Sequence, residues 1–229
     1  MKSKRYKNFI KTNDAMTSKS MKDLLPKIKK NCTTKFDESI DLSLQINNKQ
    51  KKGEVNIRTI VNMPSGTGKK IKVAVVCDDT KKISAEKAGA DIVGGEDLIE
   101  KIKSGDLNFE KLICTPKMMI SLSKLGKILG PKGLMPNPKL GTVTDNIEEA
   151  VKNAKAGQVE IKNDKDGNIG VSIGKKSFTD DKILSNFNAI IETLEKEKAN
   201  NSFKGEMIKN IYLTSTMGIS YKLKLDKHF

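Results

Sequence analysis

The chain has 229 residues, with 43 Lys and Arg against 28 Asp and Glu, a formal charge of +15. Ile, Leu, Val and Phe make up about a quarter of it, above the ~20% below which charged chains stay disordered, so a packed core is expected. One histidine, the penultimate His228, and three widely spaced cysteines, Cys32, Cys77 and Cys114, argue against Ser-His-Asp and Cys-His catalysis, histidine-ligated zinc and a disulfide framework.

No run approaches the ~20 apolar residues of a membrane span, and residues 1–20 lack the apolar stretch of a secretory signal. A soluble intracellular protein with no membrane partner is expected. The charge points to a polyanion partner. Arginine contributes only Arg5 and Arg58, however, so abundant lysine also reads as a compositional bias with many solvated side chains.

Met21, Leu24, Leu25 and Ile28 recur at helical spacing, and Pro26 predicts a short turn or a break there. Ile40, Leu42, Leu44 and Ile46 alternate with polar residues through 39–47, as in a half-buried strand, and 55–61 alternates again. Met63-Pro64-Ser65-Gly66-Thr67-Gly68 ends regular structure. The apolar run 71–77 then reads as a parallel strand buried on both faces. A helix over 84–90, a strand over 91–93, a helix over 96–103, a strand over 112–114 and a helix over 116–125 follow. This alternation predicts a small three-layer α/β unit.

The stretch 126–141, rich in proline and glycine, predicts a stiff ordered loop. A helix over 146–155, capped by Thr144 or Asp145, comes next. Segments 159–161 and 169–173 flank an Asp-Gly turn as a hairpin. An amphipathic helix over 180–198 and a strand over 207–213 complete the pattern. Residues 1–66 and 159–229 share half-exposed, antiparallel character, which predicts a discontinuous domain interrupted by an inserted α/β domain of residues 67–158. The insert carries a net +4 and the remainder +11, which places the polyanion surface mainly on the discontinuous domain.

The run from Ser65 to Lys70 fails as a P-loop, since Met63 replaces the first glycine and Lys70 the hydroxyl residue after the lysine. Gly66 and Gly68 read instead as a hinge, with Gly157 near the return crossing. Asp164-Lys165-Asp166-Gly167 departs from a calcium loop and reads as a turn, and Asp78-Asp79 lacks a nucleotide fingerprint. With no Trp, three Tyr and seven Phe, reading of single strands by stacking is disfavoured. A folded RNA held through phosphates, shape and 2′-hydroxyls fits better, and the Ser/Thr-rich segments 33–39 and 214–218 are the candidate contacts.

Taken in order, TKFDES (34–39), VNMPSGTGK (61–69), AGADIVGGEDL, LGKILGPKGLMPNPKLGTVT (125–144), EEAVKNAKAGQVE (148–160) and IYLTSTMG (211–218) resemble the large-subunit ribosomal protein L-one family of the mobile rRNA stalk. The resemblance implies a discontinuous ferredoxin-like α/β domain and an inserted Rossmann-like α/β domain. It implies a non-enzymatic component of the large ribosomal subunit in the cytoplasm, without cofactor and monomeric off the ribosome. Its partners would be the stalk rRNA, exit-site tRNA and the mRNA of its own operon, which it would repress.

The implied rRNA contacts are Lys35, Phe36, Ser39, Thr216, Met217 and Gly218. The hydroxyls of Ser39 and Thr216 would meet 2′-OH groups, Gly218 would admit close backbone approach, and Phe36 and Met217 would exclude water. Lys127, Lys132 and Lys139 are candidate phosphate contacts. Two departures from the family pattern stand out: Ile219-Ser220 after the Thr-Met-Gly triplet, and Gly170-Val171 where the returning strand commonly has a histidine. The competing class is a nucleotide-binding enzyme using the inserted domain.

Overall fold

A computed structural model describes residues 4–12, 20–47, 49–50, 53–54, 57–200 and 205–224; His228 and the start of the strand expected over 55–61 lie outside them. The architecture is mixed α/β, in two compact units formed by residues 1–68 with 160–229 and by residues 69–159. In chain order the elements are α1 (Lys4–Thr12), α2 (Met21–Asn31), β1 (Ser39–Ile46), β2 (Lys49–Gln50), β3 (Gly53–Glu54) and β4 (Arg58–Asn62). Then come β5 (Val73–Val76), α3 (Asp79–Lys87), β6 (Ile92–Gly94), α4 (Glu96–Lys103), β7 (Lys111–Cys114), α5 (Pro116–Ser123) and α6 (Gly126–Leu129). A 3-10 turn (Pro138–Leu140), α7 (Ile147–Lys155), β8 (Gln158–Lys162), β9 (Asn168–Lys175), α8 (Asp180–Asn200), β10 (Ile208–Ser215) and β11 (Tyr221–Leu223) follow. None of the described helices is long and apolar enough to cross a membrane.

The discontinuous unit is built on an antiparallel sheet in the order β11-β10-β1-β9. The two-residue alternation sends Ile40, Leu42, Leu44 and Ile46 of β1 inward with Ile169, Val171 and Ile173 of β9 and Ile211 and Leu213 of β10. Helices α2 and α8 supply the other half of this core, through Leu24, Leu25 and Ile28 and through Ile183, Ile190 and Leu194. Pro26 does not break α2, contrary to expectation. Its missing N–H removes one helical bond, and the buried apolar face outweighs that loss. The opposite sheet face carries Asp41, Ser43, Gln45, Asn168, Gly170, Ser172, Asn210, Tyr212 and Thr214, none of them buried.

The inserted unit has a parallel sheet in the order β6-β5-β7. Val73, Val75, Cys77 and Ile113 pack with α3 and α7 on one face. Ala74, Val76, Leu112 and Cys114 pack with α4, α5 and α6 on the other, giving three layers. The stretch 126–141 is more structured than expected, holding α6 and the 3-10 turn, and Leu129, Pro136 and Leu140 are buried. Helix α3 starts earlier than expected because Asp78 and Asp79 stand at its N-terminus, where a carboxylate is favoured. Asn146, rather than Thr144 or Asp145, caps α7 and accepts from the Glu149 N–H at 3.5 Å. The three cysteines are free and buried, and burial raises each thiol, Cys114 to about 11, so none is a nucleophile at neutral pH.

Two further expectations are corrected. Strands β8 and β9 flank the Asp-Gly turn but belong to different sheets, since β8 pairs with β4. The reason is Asn163, whose N–H donates to the Ile57 carbonyl (3.2 Å) and whose Oδ1 accepts from the Ile57 N–H (2.5 Å). The last long strand, β10, runs to Ser215 because its pairing with β1 continues to Ile40.

Asn186 of α8 is fully buried. Its Oδ1 accepts from the Ser65 N–H at 3.0 Å, and its Nδ2 donates to the carbonyls of Gly66 (2.9 Å) and Ile173 (2.8 Å). One amide thus ties the 63–68 turn to β9. Asn186→Ala leaves three main-chain groups without their partner and is expected to cost about 2–4 kcal/mol in urea unfolding; an unchanged midpoint would count against this role.

Candidate nucleic-acid interface

The β1–β10 pairing brings the loop before β1 and the loop after β10 to one end of the sheet. Thr216 N–H donates to the Ser39 carbonyl (3.1 Å), and Ser39 N–H donates to Thr216 Oγ1 (3.0 Å). A third loop, after β9, joins them. Lys176 N–H donates to the Glu38 carbonyl (2.8 Å), and Ser177 donates to both carboxylate oxygens of Asp37, through N–H (3.1 Å) and Oγ (2.7 Å).

At the centre lies Glu38, which has no exposed surface. Its Oε1 accepts from Thr34 Oγ1 (2.7 Å) and Thr34 N–H (3.3 Å), and its Oε2 accepts from Met217 N–H (3.1 Å). Arg5 of α1 approaches Oε1 to 3.6 Å. Burial pushes this carboxyl's pKa up, but hydrogen bonds from the Thr34 hydroxyl, Met217 N–H, Ser215 hydroxyl and Thr34 N–H outweigh it, holding it below the ordinary glutamate value. The group is therefore ionised at neutral pH and holds the Thr34 and Met217 donors.

Five of the six expected contact residues sit around this carboxylate on the three-loop surface, and Ser39 begins β1 beside it. Lys35 is exposed, and Phe36 and Met217 show 52% and 54% of their surfaces to solvent. Large apolar side chains held outward on ordered loops suit a surface that is covered when a partner binds. Two details go beyond expectation. Thr216 uses its hydroxyl internally, accepting from the Ser39 N–H and donating to the Ser39 carbonyl (3.4 Å), because these bonds join the loops. Gly218 also faces Ser215 within its own loop, where an added Cβ would overlap Ser215 Oγ. Arg5 escaped sequence reading, and Asp37 and Glu38, although inside the candidate segment 33–39, were not singled out; the one available signal was a carboxylate directly before an alternating strand.

Lys127, Lys132 and Lys139 are all exposed in the inserted unit, on a segment whose apolar residues close one face of that unit's core. Gly66, Gly68 and Gly157 take φ of 68°, 71° and 101°, and the unit boundaries fall after Gly68 and after Val159. The Gly66 carbonyl is held by Asn186, and an added Cβ at Gly68 would overlap Lys175 Cγ at 2.8 Å.

The carboxyl edge of the parallel sheet bears on the nucleotide alternative. Asp79 lies in the first turn of α3, and Glu96 and Asp97 lie in the first turn of α4. Two helix N-termini at this edge, those of α3 and α4, thus already carry negative charge, which disfavours a second anion there.

Residues 28–219 match the model of the ribosomal protein L1p/L10e family. The chain is 68% identical over 227 residues to the large ribosomal subunit protein uL1 of Pelagibacter ubique (strain HTCC1062), covering 99% of each chain. It is 46% identical over 198 residues to the uL1 protein of Orientia tsutsugamushi (strain Ikeda), covering 86% of this chain and 79% of that one. The uL1 protein of Rickettsia akari (strain Hartford) is likewise 46% identical, over 191 residues, 83% of this chain and 80% of the relative. The long match, running through both units and through the loops gathered on Glu38, shows that the chain belongs to the ribosomal protein L1p/L10e family, a family of structural ribosomal proteins rather than of enzymes.

Proposed function

We propose that the protein binds the rRNA of the mobile stalk of the large subunit through the three-loop surface of its discontinuous unit. The observation that carries this reading is the buried Glu38 carboxylate, which fixes Lys35, Phe36 and Met217 as one outward surface. Lysine charge supplies attraction that any polyanion would feel. The fixed loop backbone and the two apolar side chains supply the fit that discriminates one folded RNA from another.

The inserted unit assists release of deacylated tRNA from the exit site, turning about Gly68 and Gly157. Gly66, anchored through Asn186, serves as the fixed side of that pivot. Lys127, Lys132 and Lys139 reach RNA phosphates, and the same three-loop surface represses translation of the protein's own operon by binding an mRNA copy of the stalk site. The protein acts as a monomer until it joins the ribosome.

Three outcomes test the rRNA reading. Phe36→Ala and Met217→Ala should each weaken binding to a stalk rRNA fragment by about 1–2 kcal/mol with no change in melting temperature, because both side chains already face solvent; equal affinity would refute the surface. Lys35→Ala should reduce the log–log salt slope of binding by roughly 0.7–0.9; an unaltered slope would place Lys35 away from phosphate. The third outcome concerns pH. A carboxyl whose folded pKa lies below its unfolded value of about 4.3 stabilises the fold fully above that value and loses the contribution as pH falls through the lower folded one. Stability and RNA affinity should therefore hold from neutral pH to about 5 and decline below it. Glu38→Gln should weaken both at neutral pH and flatten the acid decline, whereas an unchanged acid profile would remove Glu38 from the interface.

A further inference from the structure

The polar face of the antiparallel sheet contains a cleft of about 690 Å³, within the ~300–1,000 Å³ typical of small-ligand sites. Its walls include Tyr212, Ser43, Gln45, Gly170, Asn168 and Lys162. Tyr212 lies on β10, an inner strand, directly opposite Ser43 on β1, and Ser43 is in turn opposite Gly170 on β9. A half-exposed ring therefore faces two of the smallest side chains in a row. An added Cβ at Gly170 would meet nothing within 4 Å, so the surface above Gly170, beyond Ser43 in the row that carries the ring, is open.

Polar groups suited to a base edge border this space. Asn210 Nδ2 donates to Gln45 Oε1 at 2.8 Å, which fixes the Gln45 amide with its two protons left for a ligand. Asn168 is held by Asp164, to which it donates from N–H (2.6 Å) and Nδ2 (3.1 Å), leaving its Oδ1 as an acceptor. Glu160, also in the wall, is engaged by Arg58 Nε at 2.7 Å, so it presents little uncompensated charge. Lys162 borders the cleft, and Lys222 lies opposite Tyr212 on the strand beyond it; both are exposed cations placed for a backbone phosphate.

We propose that this cleft receives an unpaired base of a single-stranded RNA segment. The base stacks on Tyr212 in the space left by Ser43 and Gly170, its edge meets Gln45 and Asn168, and its phosphates lie near Lys162 and Lys222. An aromatic ring on an inner strand of an open sheet, flanked by cations, is the physical arrangement by which sheets hold unpaired nucleotides. Composition disfavoured such recognition because aromatics are few, but one ring with cleared surroundings is sufficient for one base. The site extends the proposed RNA surface and stands apart from the loops at the end of the sheet.

The test measures binding of fluorescein-labelled hexa-adenylate to the full-length protein by anisotropy, at about 0.2 M salt to suppress non-specific attraction. Tyr212→Phe keeps the stacking face and should bind like the wild type. Tyr212→Ser should lose at least about fivefold in affinity, and Gly170→Ile, which fills the cleft, should lose a similar factor. None of these changes alters charge, so residual electrostatic binding cancels in the comparison, and thermal melts of the variants report on folding. No binding by the wild type, or wild-type affinity in Tyr212→Ser or Gly170→Ile, would overturn the site. The oligonucleotide has no folded structure, whereas the loop surface is tested on a folded rRNA fragment, so either reading can fail alone.

Discussion

A buried carboxylate is costly unless donors surround it, and that requirement organises the three-loop end of the discontinuous unit. Glu38 offers two oxygens that only accept. They are met by a hydroxyl and an N–H from Thr34, an N–H from Met217 and the nearby Arg5. A neutral amide in its place would set one donor against these donors. The charge therefore fixes the conformation of the loop before β1 and docks the loop after β10 onto it. Asp37 does the same outside, drawing in Ser177. Because polar groups satisfy the interior of the three loops, Phe36 and Met217 are left on the outside, where their apolar surface is available to a partner.

The division between the two units follows from how each treats charge. The discontinuous unit carries most of the net positive charge and concentrates its ordered, outward loops at one sheet end. In the inserted unit, acidic side chains occupy the first turns of α3 and α4, which disfavours a phosphate at those two helix N-termini, at the edge where parallel α/β sheets commonly hold one. An α/β layer arrangement alone would suggest nucleotide chemistry; the particular residues at its edge argue for a structural role.

Periodic features were legible in the sequence, and features set by distant partners were not. The alternation in β1 and the unbroken apolar run of β5 announced a sheet buried on one face and a sheet buried on both. The hairpin expectation failed because Asn163 bonds Ile57, 106 residues away in sequence, and no local pattern encodes that. The loop residues Lys35, Phe36, Thr216, Met217 and Gly218 were found through the family resemblance. What holds them was hidden, because a glutamate's burial depends on donors that only the folded chain assembles. Gly218 has a second reason to be glycine that residue type alone could not show: an added Cβ would overlap Ser215 Oγ.

The polar sheet face follows from the same architecture. Both packing helices of the discontinuous unit lie on one side, so every second residue of β1, β9 and β10 faces away from the core. Polar and small residues there keep such a face soluble and discourage pairing with another sheet. Tyr212 is the exception, a large ring on an inner strand with small residues beside it. A ring placed to fill a core would be buried by larger neighbours, and a ring placed only for strand propensity would not need Gly170, which weakens a strand. Glycine opposite serine, in the row that carries the tyrosine, makes sense when the vacated surface is to be filled by something flat. A strand rises about 3.3 Å per residue, so Ser43 lies only about 13 Å along β1 from Ser39, within reach of an RNA chain that leaves the loops and follows the sheet.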